Sequence, residues 1–198
     1  MRRINRDSFP HLVDVVCRRA NEHFFTFWAR VAARWWRVHL GTDCSFFGRA
    51  RFFRHPHSRI SIGAGCIFRS SPASNPSGIN RPCIISTLHE GAEIEIGSNC
   101  GFSGTAIACA VKIVLGEQVR CSPNTWIIDT EGHWDDPRTG PNIPIIIQSG
   151  VWLGANVSVL SGVTIGENTL VAAGSIVTKS LPPNVIAAGI PAKVIRPI

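Results

Sequence analysis

Residues 147–181, IQSGVWLGANVSVLSGVTIGENTLVAAGSIVTKSL, repeat with a period of six. Ile147, Leu153, Val159, Ile165, Val171 and Val177 hold one register. Val151, Val157, Val163, Thr169, Ser175 and Leu181, each four residues further on, hold a second register of small or apolar side chains. Gly154 and Gly166 directly follow a first-register residue, where the chain must turn. A fixed period of six marks a parallel β-helix built of stacked repeats. Each hexad is then a short strand and a corner, and three hexads close one triangular coil. Successive coils pair as parallel strands about 4.8 Å apart. Apolar residues point into the prism, and glycine or asparagine takes corners that need positive φ.

The pattern extends towards the N-terminus with breaks. Residues 60–66, ISIGAGC, form the first clear hexad, preceded from Ser45 by strand-and-turn sequence carrying Phe46, Phe47, Phe52 and Phe53. The register resumes at Ile84 and runs through Glu90, Ile96, Phe102 and Ala108, with Leu88, Ile94, Cys100 and Ala106 in the second register. Glu90 is out of character for an interior position and marks a local change of phase. One extra residue then moves the series to Leu115, Cys121 and Ile127. Residues 70–82 and 129–144 interrupt the repeat and read as extruded loops. The second is a long polar excursion with no packing role, which makes it a functional candidate. After Pro182-Pro183 the phase is lost, and residues 185–198 read as a cap on the last coil, whose edge is otherwise unpaired.

Residues 1–44 form a separate segment. Over 11–40 Phe24, Phe27, Trp28, Val31, Trp35 and Val38 recur at helical spacing beside Arg30, Arg34 and Arg37, and Gly41 supplies a stop. Two readings of the aromatic stripe follow: it packs on the flank of the repeat, or it lies on a membrane with arginine towards anionic headgroups.

Composition narrows the functional classes. With 44% hydrophobic residues in 198, the chain can bury one substantial core, and no apolar run reaches the length of a membrane span. No signal peptide is read at the N-terminus, so a cytoplasmic address is expected, peripheral at the inner face of the membrane on the second reading of the stripe. The net charge of +7 is concentrated before residue 60 and not along the repeat. That asymmetry suits an anionic membrane surface or a phosphate-bearing ligand, and nucleic acid is not expected. The seven cysteines contain no CxxC pair, and Cys66, Cys100 and Cys121 fall on hexad positions, so reduced core thiols are expected.

His133 is the candidate catalytic residue, in the polar loop after Gly132 with Glu131, Asp135 and Asp136 nearby. An imidazole titrating near neutrality can take a proton, and a neighbouring carboxylate or carbonyl can fix its tautomer. No second histidine stands four or five residues from it, so no metal is expected. Phosphate loops of P-loop or dinucleotide type and a GxSxG elbow are absent from the sequence.

The residues resemble the left-handed β-helix (hexapeptide-repeat) acyltransferases. They are most similar to the branch of galactoside, maltose and nodulation-factor O-acetyltransferases and polysaccharide-modifying relatives. The resemblance rests on Val151-Trp152-Leu153-Gly154, Val163-Thr164-Ile165-Gly166-Glu167-Asn168, residues 172–179 (AAGSIVTK) and residues 188–195 (AGIPAKVI). It implies a left-handed coil, where general crossover rules favour the right-handed one. It also implies acetyl transfer from acetyl-CoA to a sugar hydroxyl or amine, without a covalent enzyme intermediate, in a homotrimer with sites in the grooves between subunits.

By the same resemblance His133 is the general base and the backbone N–H of Ala155 the oxyanion donor. Trp152 and Gly154 line the thioester end, Ala173 meets the pantetheine, and Lys179 and Lys193 meet the CoA phosphates. Ser103 and Thr105 are implied on the acceptor side, with Asn80 and Arg81 behind them. Trp134, where relatives often carry proline, would line a sugar or lipid pocket. The aromatic, basic N-terminal segment suits surface-polysaccharide biosynthesis. An amino-sugar N-acetyltransferase, a xenobiotic acetyltransferase and a non-catalytic β-helix scaffold remain open at this point.

Overall fold

The computed structural model describes residues 9–133 and 136–198. One helix, Phe9–Trp35, precedes a stack of triangular coils whose three faces are parallel sheets. The first face runs through His39–Leu40, Arg59–Ile62, Glu93–Ile96, Lys112–Leu115, Ile145–Ile147 and Thr164–Ile165. The second runs through Ser45–Phe47, Ile67–Arg69, Gly101–Ser103, Arg120–Cys121, Trp152–Leu153 and Leu170–Val171, and ends on Val185–Gly189 and Ala192–Pro197. The third comprises Arg51–Phe53, Ile84–Thr87, Ala106–Cys109, Trp126–Ile128, Ser158–Val159 and Ile176–Val177. The last two strands of the second face pair antiparallel as a hairpin, which is the expected cap.

The two registers of residues 147–181 both point inward, and every member from Ile147 to Val177 is buried, Thr169 and Ser175 included. On the second face Phe46, Phe68 and Phe102 stack through the early coils with ring centroids 4.6 and 4.9 Å apart. Beside them Cys44, Cys66 and Cys100 donate their thiols to the carbonyls of Gly63, Gly97 and Gly116 at 3.2–3.3 Å. The Cys66 thiol and then burial push Cys44 well above the ordinary thiol range, and the Cys100 thiol with burial brings Cys66 up to about 11. Six of the seven cysteines are buried free thiols, and Cys17 is exposed.

The corners explain where the sequence period is regular. From the first face to the second, each step is six residues: Leu40 to Phe46, Ile62 to Phe68, Ile96 to Phe102, Leu115 to Cys121, Ile147 to Leu153 and Ile165 to Val171. At that corner Gly41, Gly63, Gly97 and Gly116 stack, and a Cβ on Gly63 would come within 2.7 Å of the backbone above it. All irregular spacings fall at the other two corners, which carry the two loops. The register expected from Ile84 is one residue off at both ends: Ile85 and Ile107 are buried, whereas Ile84 and Ala108 are not. Glu90 and Leu88 are exposed at the corner after Ile84–Thr87.

The helix also ends earlier than residue 40. Arg37 takes the left-handed conformation (φ 52°), and the N–H groups of Arg37 and Val38 bond back to Arg34 and Ala33 at 3.1 and 2.8 Å. That arrangement is a Schellman stop formed by arginine. Gly41 belongs to the glycine stack, and Val38 is a buried residue of the first coil. The helix covers that coil with Ala29 and Ala33 buried, Thr26 accepting the Phe46 N–H at 3.0 Å, and Glu22 accepting the Ser45 hydroxyl at 2.7 Å. The aromatic stripe is therefore not the packed face: Phe24, Phe27, Trp28, Val31 and Trp35 are all exposed, Trp35 at 83%. No helix among the described residues is long and apolar enough to cross a membrane.

Candidate active site

The loop bearing His133 leaves the third face after Trp126–Ile128 and rejoins the first at Ile145–Ile147. Its root is fixed by Asp129, which is fully buried. One carboxylate oxygen accepts the N–H of Ala110 at 2.5 Å, and the other accepts those of Val111 and Lys112 at 2.9 Å each. These donors form the corner of the coil below, so a single carboxylate ties the loop to the stack. Burial, reinforced by this carboxylate, pushes the adjacent Cys109 thiol far up.

Beyond the root, Gly132 adopts φ +79° and donates its N–H to the Thr130 hydroxyl at 3.1 Å. The His133 carbonyl accepts the Asp136 N–H and the Thr139 hydroxyl, both at 3.0 Å, so the backbone folds as a turn behind an exposed histidine. Asp136 is bound by Arg138, whose Nε lies 2.9 Å from Oδ1, and this partner holds its carboxyl below the usual range. Glu131 is exposed, and Trp134 and Asp135 lie outside the described residues.

A second group forms where the second face turns into the third. Trp152 is half-exposed and donates its indole N–H to the Ser122 hydroxyl at 2.9 Å. Gly154 lies so close to the next coil that a Cβ would meet the Ala173 nitrogen at 2.5 Å. Ala155 accepts the Gly174 N–H at 2.8 Å, while its own N–H donates to no group among the described residues. The Ala173 N–H is likewise without an acceptor there. Trp152, Gly154, Ala155 and Ala173 thus stand together at one corner. Lys179 is exposed at the corner after Ile176–Val177, and Lys193 is exposed on the terminal hairpin. His133 and Ala155 occupy different corners of the same prism.

The second face carries a groove of about 480 Å³ that includes Trp152, Ser103, Asn75, Arg69, Arg120 and Ser122. Ser103 sits in it and accepts the Asn75 amide at 3.1 Å. Thr105 does not: its side chain points into the prism, its hydroxyl is buried without a partner, and it presents nothing to a ligand. Asn80 is exposed on the 70–82 loop, its N–H bonded to Asn124 Oδ1 at 3.0 Å. Arg81 is occupied by the carbonyls of Gly104 and Asn124 and pins that loop. Arg69, Asn75, Arg120, Ser122 and Asp129 were not legible as site residues, because each reaches its place through coils distant in sequence. Among the described residues no three His, Cys, Asp or Glu side chains stand close enough to hold a metal ion.

Known proteins match this architecture. The hexapeptide repeat of bacterial transferases, in its six-repeat form, matches residues 144–179. Galactoside O-acetyltransferase of Escherichia coli strain K12 is 41% identical over 114 residues, covering 54% of this chain and 56% of the relative. Galactoside O-acetyltransferase of Lactococcus lactis strain IL1403 is 45% identical over 142 residues, covering 69% of this chain and 62% of the relative. A galactoside acetyltransferase solved in complex with coenzyme A is 29% identical with a TM-score of 0.51, over 81% of this chain and 64% of that one. Residues 144–179 carry the hexapeptide repeat of bacterial transferases, and the chain has the left-handed β-helix of the solved acetyltransferases it resembles. It spans between half and two thirds of the length of these curated relatives.

Proposed function

We propose that the protein is an acetyl-CoA-dependent O-acetyltransferase acting on a saccharide hydroxyl in surface-polysaccharide biosynthesis. The observation that carries this reading is the Gly132-His133 loop, set on a repeat that is 41–45% identical to galactoside O-acetyltransferases. Support comes from the unengaged N–H of Ala155, presented beside Trp152.

In this mechanism the His133 imidazole takes the proton of the acceptor hydroxyl as its oxygen attacks the thioester carbonyl carbon. The Ala155 N–H receives the developing oxyanion, a contribution of about 3 kcal/mol for one well-placed donor. The C–S bond then breaks, and the proton passes from the imidazole to the departing CoA sulfur. Trp152, Gly154 and Ala173 would flank the thioester and pantetheine, with Lys179 and Lys193 towards the phosphates. Ser103, Asn75, Arg69 and Arg120 would face the acceptor, with Asn80 on the adjoining loop and Trp134 proposed beside the base.

Because His133 and Ala155 lie at different corners of one prism, a neighbouring chain has to bring the second half of each site, which fits a homotrimer. Thiol release from acetyl-CoA, followed over a panel of sugars, nucleotide-sugars and amino sugars, tests the reading. The expected result is turnover with a hydroxyl acceptor and a mass near three times 21.5 kDa in sedimentation equilibrium. Turnover confined to amino sugars would replace O- by N-transfer. Absence of both turnover and CoA binding would leave a scaffold.

A further inference from the structure

The helix Phe9–Trp35 turns one continuous apolar face to solvent. Phe9, Leu12, Val13, Val16, Phe24, Phe27, Trp28, Val31 and Trp35 are all exposed and fall on one stripe at helical spacing. The stripe cannot roll inward, because the opposite face is locked to the first coil through Glu22, Thr26, Ala29 and Ala33. Arg19, Arg30 and Arg34 run alongside it, all exposed, and among the described residues none has a carboxylate at ion-pair distance. The two acids of the helix are turned elsewhere: Asp14 pairs with Arg18 at 2.7 Å, and Glu22 binds Ser45.

We propose that this face docks on an anionic phospholipid surface, with the aromatic stripe in the interface and the arginine row against the headgroup phosphates. Charge selects this occupant. A second copy would bring an equally acid-free, arginine-rich face, setting arginine against arginine, whereas an anionic bilayer complements both the apolar and the basic strips. A cleft of about 540 Å³ lined by Trp28, Val31, Trp35 and Arg49 adds a recess for lipid along the same face. The helix makes its main contacts with His39–Leu40 and Ser45–Phe47 of the first coil, so a trimer stacked about a parallel axis would carry three such faces at one end. The three contacts would then reinforce one another. The docking face is separate from His133 and Ala155, so it stands or falls apart from the transferase reading.

The test is co-sedimentation of the full-length chain with vesicles of phosphatidylcholine alone or with phosphatidylglycerol added, at low and high salt. The variants are Trp28→Ser/Trp35→Ser and Arg30→Gln/Arg34→Gln, with circular dichroism confirming their fold. Binding should require phosphatidylglycerol, weaken with salt, and drop at least about tenfold in each double variant. Equal binding to neutral vesicles, or variants that bind like the unmodified chain, would overturn the proposal. So would a chain that ignores vesicles and instead loses oligomer mass in Trp28→Ser/Trp35→Ser, since the stripe would then belong to a second copy.

Discussion

Replacing Asp129 by alanine should loosen the corner beneath the His133 loop more than any other single polar change there. The carboxylate serves three backbone N–H groups at 2.5, 2.9 and 2.9 Å. Ala110 is buried, so its N–H would lose its acceptor without replacement, at a cost of about 1–3 kcal/mol. Val111 and Lys112 are more accessible, and water can take over part of their bonding, leaving about 1 kcal/mol for each. The sum is about 3–5 kcal/mol. Asp129→Asn keeps one carbonyl oxygen for this cluster and should cost roughly half as much. In urea unfolding, with a slope of about 2–3 kcal/mol/M for a chain of this size, the alanine variant should move the midpoint down by about 1–2 M. The asparagine variant should lie between the two. An alanine variant with the wild-type midpoint would refute the reasoning, since it would mean that the three donors find other partners at no cost.

Three further outcomes follow from the same geometry. Gly154→Ala places a methyl against the Ala173 backbone, which cannot move without parting two coils, so a midpoint loss of the same order is expected together with weakened CoA binding in calorimetry. Iodoacetamide at neutral pH should label one thiol, Cys17, in the native chain and seven in urea, as counted by mass spectrometry. The Cys66 thiol is held protonated to about 11 in the folded chain, against an ordinary value of 9.0, so its contribution to stability is full below 9 and is lost as the pH rises towards 11. Urea midpoints should therefore fall between pH 9 and 11, and a midpoint that stays flat across that window would count against the buried thiol stack.

The fold was legible because residues 147–181 keep six residues at every corner, so two inward registers survive in the sequence without a break. It blurred at 84–108 because two of the three corners tolerate extra residues. The first loop moves the inward phase from Ile84 to Ile85, and a step of five residues from Phe102 moves it from Ala108 back to Ile107, while the strands themselves persist. The aromatic stripe was visible as helical spacing, but not its direction. Spacing identifies an apolar face without saying what it meets, and small Ala29 and Ala33 won the coil because they allow close approach. His133 stood out through the length of its loop. Thr105 was placed on the acceptor side by the resemblance alone, and its side chain occupies an inward position that the repeat's broken phase over 84–108 concealed. Asp129 passed unnoticed because its donors lie 17 to 19 residues earlier, and only the stacking of coils brings them to it.

The most direct test of the account is the rate of CoA release by His133→Ala beside the unmodified chain, measured with the best saccharide acceptor at saturating acetyl-CoA. If His133 is the base, kcat falls by at least about 100-fold while the KM for acetyl-CoA stays near its original value. A variant that turns over at the unmodified rate would remove His133 from the chemistry and with it the assignment of the loop as the catalytic element.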